Sequence, residues 1–204
     1  MMESNNLTGI IPENYTGRII DTDHTIEFET IEEATSFFEV VKTRLLNVNS
    51  WSKIAGVLTA EFQVVDNAGN EVNRSVRKGD FFKIDVPGPG SIDGEGYDWV
   101  RVEEIKSVSE AGMESLGIRV RPSTNPLNND EHISHFYSEQ STSNFVVTRD
   151  KRKITAGVYD RNTKPNLDAD TPLNKARHWI VGLSAVVWFS KYQWHRLVEG
   201  LLSR

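Results

Sequence analysis

The stretch Thr25-Ile-Glu-Phe-Glu-Thr-Ile-Glu-Glu-Ala34 decides the fold, because its side-chain period changes within a few residues. In its first half, apolar Ile26 and Phe28 alternate with polar neighbours, which is the pattern of a half-buried strand. Thr30 and Glu33 then form a capping box, in which each side chain accepts a hydrogen bond from a free backbone N–H at a helix start. The sequence therefore predicts a strand that passes directly into a helix.

The predicted helix carries a single apolar stripe. Its members recur at helical spacing: Ile31, Ala34, Phe37, Phe38, Val41, Leu45 and Leu46. Residues 47–50 interrupt the stripe, and a second, short helical segment with Trp51 and Ile54 is predicted to stop at Gly56. Two helical segments are therefore expected after the first strand.

Between residues 57 and 159 the period is two in successive segments. Apolar and polar side chains alternate, and the apolar positions include Leu58, Ala60, Phe62, Val64, Phe82, Ile84, Val100, Val102, Ile118 and Val120. This alternation predicts an antiparallel sheet with one solvated face and one covered face. Residues 72–77 are predicted as a weaker strand, and outward arginines and glutamates near Arg101 and Arg119 are expected to form cross-strand ion pairs.

Two loops interrupt the strands. The stretch from Val86 to Trp99 is rich in Gly and Pro and is predicted to make a wide turn at the sheet rim. Its glycine spacing does not fit a phosphate-binding loop. Because it lies at the sheet rim, we expect it to be near a ligand entrance or to contact a partner. Residues 122–143 form a long polar segment, which is typical of a lid, a binding loop or disorder.

The C-terminal region predicts a long helix. Thr171 and Pro172 suit the cap and the first helical position. The following residues are apolar on almost every side, so the helix is expected to be sandwiched. Ser190 and Gln193 form a second capping box, which predicts a kink or break at Ser190.

Composition excludes several classes of function. The chain has 204 residues, 38% of them hydrophobic and 25% charged, as in a soluble globular protein. The absence of cysteine excludes disulfides and thiolate metal sites and favours a cytoplasmic location. A net charge of -6 without a basic stripe argues against nucleic acid and anionic membrane. The longest apolar run, residues 179–189, is shorter than the roughly 20 residues of a membrane span.

The order of these elements resembles the START-like, or helix-grip, superfamily. The resemblance rests on Thr25–Ala34, on Trp51-Ser-Lys-Ile54, on the strands between 58 and 159 and on the helix from 172. It implies an α+β fold, in which a curved antiparallel sheet grips a long, kinked C-terminal helix and a cavity between them holds an apolar small molecule. Residues 1–22 are then an N-terminal arm and residues 23–204 a single domain.

A second resemblance competes with the first. The segment from Lys78 to Ile84, followed by Trp99-Val-Arg-Val102, is similar to the strands of an SH3-like barrel. The alternative fold is therefore an SH3-like barrel core with added helices.

Candidate ligand-binding residues are those expected between the sheet and the C-terminal helix. They are Phe62, Phe82, Trp99, Phe145, Trp179, Leu183 and Trp188. Aromatic residues in such a place either line a cavity or fill a core. We predict no metal and no cofactor, because His132 and His135 lack an evident third ligand. Glu103 and Glu104 should face opposite ways on a strand, so they are not expected to work as a carboxylate pair.

Three functions remain open from the sequence. The leading one is binding of a hydrophobic or amphipathic small molecule. The second is a cyclase-type or hydrolase-type enzyme on the same fold, with His178 or His195 as general base. The third is a non-catalytic protein-interaction domain that uses the Gly/Pro loop at 87–96. No feature of the sequence predicts an oligomeric state.

Overall fold

Seven strands and three α-helices make up the described part of the computed structural model, which covers residues 6–56, 59–86, 94–110, 112–128, 132–164, 166 and 183–204. For residues 183–190 the description extends to the helix but not to the side chains. The strands are β1 (Arg18–Glu27), β2 (Glu61–Val65), β3 (Phe81–Asp85), β4 (Asp98–Glu110), β5 (Met113–Pro122), β6 (Thr142–Asp150) and β7 (Lys153–Thr163). The helices are α1 (Ile31–Leu46), α2 (Trp51–Ala55) and α3 (Leu183–Leu201), with a 3₁₀ turn (Val48–Ser50) between the first two.

All seven strands form one antiparallel sheet in the order β1-β7-β6-β5-β4-β3-β2. The first two strands lie at opposite edges, and α1 and α2 connect them. Helix α3 contacts β1 and β7 at one edge, and its Gln193 bonds to Ala60 next to β2 at the other. The sheet therefore curves around the helix without closing into a barrel. The helix-grip prediction is confirmed, and the SH3-like alternative is wrong.

Helix α1 begins where the capping box predicts. Glu33 N–H donates to Thr30 Oγ1 at 3.1 Å, and Thr30 N–H donates to Glu33 Oε2 at 3.3 Å. The predicted stripe turns toward the sheet, and its fully buried members are Ala34, Phe38, Val41 and Leu45. Burial of this stripe is the main force that holds α1 in place.

The first strand starts at Arg18, before the boundary at residue 22 that the sequence predicts for the arm. Pairing with β7 extends β1 in this direction. The residues ahead of it also pack on the sheet, because Ile10 is fully buried against Val146 and Tyr159. Backbone N–H groups of residues 15 and 16 donate to Asn162 Oδ1 at 2.8 and 3.1 Å. Part of the predicted arm thus covers the outer face of the sheet.

The prediction of a weak strand over residues 72–77 is wrong, since this segment is organised around a buried carboxylate instead. Asp80 accepts hydrogen bonds from the Arg74 guanidinium at 2.7 and 3.0 Å and from Arg77 N–H at 2.8 Å. Val76 N–H donates to Leu46 O at the end of α1. The N–H groups of Val76 and Arg77 are therefore used in these bonds and are not available to pair with a neighbouring strand.

A β-bulge between Val102 and Glu104 overturns the prediction that Glu103 and Glu104 face opposite ways. The extra residue lets Glu103 and Glu104 both reach Arg119, at 3.2 and 2.7 Å. The sequence predicts that these neighbours face opposite ways, which holds only for a regular strand. The expected cross-strand ion pairs do occur, since Glu103 also bonds to Arg121 at 2.5 Å.

Helix α3 runs without interruption through Ser190, so the predicted break is not observed. Gln193 is not used as a helix cap, because its Oε1 accepts the Ala60 N–H at 2.7 Å. The predicted helix start at 171–172 lies outside the described residues. Within the described chain, no helix combines the length and the apolar content needed to cross a membrane.

We expect the close packing of α3 on α2 to make Gly200 intolerant of a side chain. A Cβ there would lie 2.1 Å from Ile54 O and 2.7 Å from Ile54 C. Overpacking costs about 1–3 kcal/mol, which outweighs the gain of about 1 kcal/mol in helix propensity. Gly200→Ala should therefore lower the free energy of unfolding in denaturant titrations, whereas Lys191→Ala at an exposed position of α3 should not. A Gly200→Ala protein as stable as the parent would contradict this packing.

Candidate functional site

A narrow cavity lies between the inner face of the sheet and α3. The strands contribute a mainly apolar wall: Phe62, Phe82, Ile84, Val100, Val120 and Phe145. The space open to the centre of a water-sized sphere is about 40 Å³, whereas roughly 10–15 Å³ suffices for one water. The wall side chains therefore leave a void that they do not fill.

Three of the predicted binding residues meet at this cavity. Phe62, Phe82 and Phe145 come from β2, β3 and β6 and all line it. Each ring also packs against Trp51, with centroid distances of 5.3, 5.8 and 4.7 Å. The part of the wall that these rings form is held in place by the fully buried Trp51.

Trp99 lies elsewhere. Its neighbour Val100 lines the cavity, and successive strand residues point to opposite faces, so the Trp99 side chain is on the outer face of β4. The ring is 1% exposed, because the turn before β4 covers it and Gly94 O accepts its Nε1–H at 3.3 Å. The alternation of side chains along β4 is the sequence signal that could have assigned Trp99 to the outer face.

The other predicted residues belong to the C-terminal region. Trp179 lies outside the described residues. Leu183 and Trp188 are part of α3, but their side chains also lie outside the described part of the structure. Their role in the site stays a prediction.

Three residues of the polar segment 122–143 form one wall of the cavity and were not among the predicted binding residues. His135, Phe136 and Tyr137 line the cavity, and the first two rings stack with centroids 4.3 Å apart. Asn166 holds this segment by donating its side-chain N–H groups to Ile133 O and His135 O at 2.9 and 3.1 Å. Three consecutive ring-bearing residues within the polar segment 122–143 were the available signal.

Two side chains of α3, also missed, complete the wall. Gln193 and Trp194 line the cavity, and the Trp194 ring meets Phe145 edge-on at 5.2 Å. Trp194 Nε1–H donates to Asp160 Oδ2 at 3.0 Å. The helix thus adds hydrogen-bonding groups to those of His135, Tyr137 and Ser143 on the cavity wall.

Asp160 is a buried carboxyl group directly behind this wall. Burial raises its pKa to about 6, against the lowering effects of Ser143, Trp194 and Arg161. Its Oδ1 makes no well-formed hydrogen bond in the described part of the chain. Because Ser143 is its cross-strand partner and lines the cavity, the carboxyl group adds negative charge near one end of the site above about pH 6.

Of the two histidines that the enzyme alternative names as general base, His195 is the one among the described residues. His195 is on the exposed side of α3, where its Nε2 lies 3.3 Å from Glu199 Oε1, and it is not part of the cavity wall. His178 lies outside the described residues. His135 is at the cavity, where its Nδ1 accepts the Tyr137 N–H at 2.9 Å. Over the described residues, no group of three or more potential metal-ligating side chains forms.

The curved sheet, the C-terminal helix and the cavity between them define a helix-grip architecture. Solved structures similar to the chain include major latex-like protein 151 of Panax ginseng, at 12% identity over 84% of this chain and 97% of that chain, with a TM-score of 0.36. Norcoclaurine synthase of Thalictrum flavum is 8% identical over 95% and 99%, with a TM-score of 0.38. Protein Ms6760 of Mycobacterium smegmatis is 14% identical over 90% of both chains, with a TM-score of 0.38. No family model and no curated protein match the sequence.

We expect Asp160 to make stability depend on pH. Its pKa is raised in the folded state, so folding favours the protonated form, and this contribution is lost as pH rises from about 4 to about 6. Asp160→Asn keeps an acceptor for Trp194 and removes the cost of a buried charge. The variant should gain about 3 kcal/mol over the parent at pH 7.5 and little at pH 4, measured by denaturant titration at both pH values.

The matched control is Asp85→Asn, which removes one carboxylate at an exposed strand position. An equal gain for Asp160→Asn at both pH values would show that the carboxyl group is not held in its protonated form by folding.

Proposed function

We propose that this chain binds a hydrophobic or amphipathic small molecule in the cavity between the sheet and α3. The observation that carries the proposal is the unfilled space next to Phe62, Phe82 and Phe145 in an otherwise close-packed interior. Apolar surface of a ligand that enters this space leaves water, which contributes about 25 cal/mol per Å². A few polar groups on the wall would orient the ligand.

The size of the cavity limits what enters without movement of the wall. About 40 Å³ of space for water-sized spheres suits the end of an alkyl chain, whereas a single benzene ring occupies a cavity of about 150 Å³. A larger ligand requires displacement of wall side chains. Ala60, Val86 and the segment at 135–137 are the described parts of the wall outside regular strands and helices, and 135–137 is the longest of them, so we propose that larger ligands enter past it.

The alternatives have weaker support from the described residues. For an enzyme, one of the two named bases, His195, lies outside the cavity wall on the exposed side of α3, and the other, His178, lies outside the described residues. For a protein-interaction domain, residues 87–93 of the Gly/Pro loop lie outside the described residues. We therefore propose small-molecule binding alone.

Binding should depend on the empty volume. Val120 is 2% exposed and lines the cavity, so Val120→Phe should fill the space and weaken binding of the neutral fluorescent probe N-phenyl-1-naphthylamine by at least about tenfold. Val40→Phe, at a 42% exposed position of α1, adds the same group outside the cavity and should leave probe binding unchanged.

Native mass spectrometry of the freshly purified protein supplies an independent test. A co-purifying mass that Val120→Phe releases and Val40→Phe retains would support the proposal. A parent protein that carries no such mass and leaves the probe unbound would overturn it.

A further inference from the structure

Gln193 has hydrogen-bonding capacity at the cavity that the fold does not use. The residue is 2% exposed and lines the cavity from α3. Its Oε1 accepts the Ala60 N–H at 2.7 Å. Because a backbone N–H can only donate, the oxygen must face Ala60, and this bond fixes the orientation of the amide group.

Among the described residues, the nitrogen of the same amide has no hydrogen-bond partner. Gln193 Nε2 is buried and makes no hydrogen bond to any described residue. Buried donors are almost always paired, so an unpaired one at a cavity wall points to an acceptor that is supplied from the cavity. Each of the two N–H groups on Nε2 needs an acceptor rather than another donor.

Trp194 and Asp160, beside Gln193, indicate that this acceptor is uncharged. Trp194 uses its own N–H for Asp160 Oδ2, so it offers no further donor to a ligand. The Asp160 carboxylate is fully buried behind this wall. A negatively charged ligand would bring a second negative charge into the same poorly solvated region, where repulsion is strong.

We propose that the ligand is an uncharged molecule whose carbonyl oxygen accepts a hydrogen bond from Gln193 Nε2. Its apolar body lies against Phe62, Phe82 and Phe145. A carbonyl oxygen fits this donor better than a hydroxyl, because it accepts the hydrogen bond and brings no hydrogen that needs a further acceptor in the cavity. This inference rests on the proposed function and specifies the chemistry of its ligand.

Two isosteric ligands separate the hydrogen bond from apolar burial. Acetophenone and α-methylstyrene differ only by a carbonyl oxygen in place of a methylene group. In titrations followed by ¹H–¹⁵N NMR, acetophenone should bind about tenfold more tightly and shift the side-chain NH₂ signals of Gln193. Benzoate should bind more weakly than acetophenone at pH 7.5. Tighter binding of 1-phenylethanol or benzoate than of acetophenone would overturn the assignment to a neutral carbonyl group.

Gln193→Glu keeps an oxygen for Ala60 N–H and, when its carboxyl group is ionised, leaves no donor in place of the NH₂ group, so it is assayed at pH 9, well above the ordinary pKa of glutamate. It should lose the preference for acetophenone and still bind α-methylstyrene. Gln140→Glu makes the same change at an exposed site and should keep the preference. If Gln193→Glu does not fold, Gln193→Met removes the donor without adding a charge and should have the same effect on the preference.

The two proposals fail in different ways. If neither acetophenone nor α-methylstyrene binds the parent protein up to its solubility limit, small-molecule binding in this cavity is wrong. If both bind with equal affinity, or if Gln193→Glu keeps the preference, the cavity binds apolar molecules and only the role of Gln193 is wrong.

Discussion

The packing of Trp51 is the interaction on which the rest of the structure depends. Its ring is fully buried and contacts Phe62, Phe82 and Phe145, which come from three different strands. Its Nε1–H is shared between the carbonyl oxygens at the end of α1, at 3.2 Å from each. One side chain thus connects the helical segment to the inner face of the sheet. Since the same three rings line the cavity, the core and the candidate site share a common wall.

The features that could be predicted from sequence are those set by nearby residues. Strand alternation assigned Phe62, Val100 and Val120 to the inner face, and a capping box placed the start of α1, because both depend on groups only a few positions apart. Ser190 and Gln193 present the same local pattern in the C-terminal helix, yet Gln193 pairs with Ala60, 133 positions away in sequence. A local pattern gives the wrong answer when a distant backbone group competes for the same side chain.

The candidate site was predictable in its aromatic part and not in its polar part. Phe62 and Phe82 follow from alternation and line the cavity, whereas the same alternation puts Trp99, the neighbour of Val100, on the opposite face of the sheet. Asp160 could not be found in this way, because its significance arises from burial beside Trp194. The β-bulge at Glu103 could not be predicted from the sequence either, because an extra residue in a strand leaves no clear periodic signal.

Helix α3 closes the cavity with the same residues that attach it to the sheet. Gln193 bonds to the backbone beside β2, and Trp194 bonds to Asp160 on β7, so two adjacent positions hold opposite sides of the curved sheet. Trp194 has a single N–H donor, and that attachment consumes it. Gln193 has an acceptor and two donor hydrogens, of which the attachment uses only the acceptor. A glutamine at this position therefore leaves an NH₂ group that makes no hydrogen bond to the described residues, which an apolar side chain at the same position would not do.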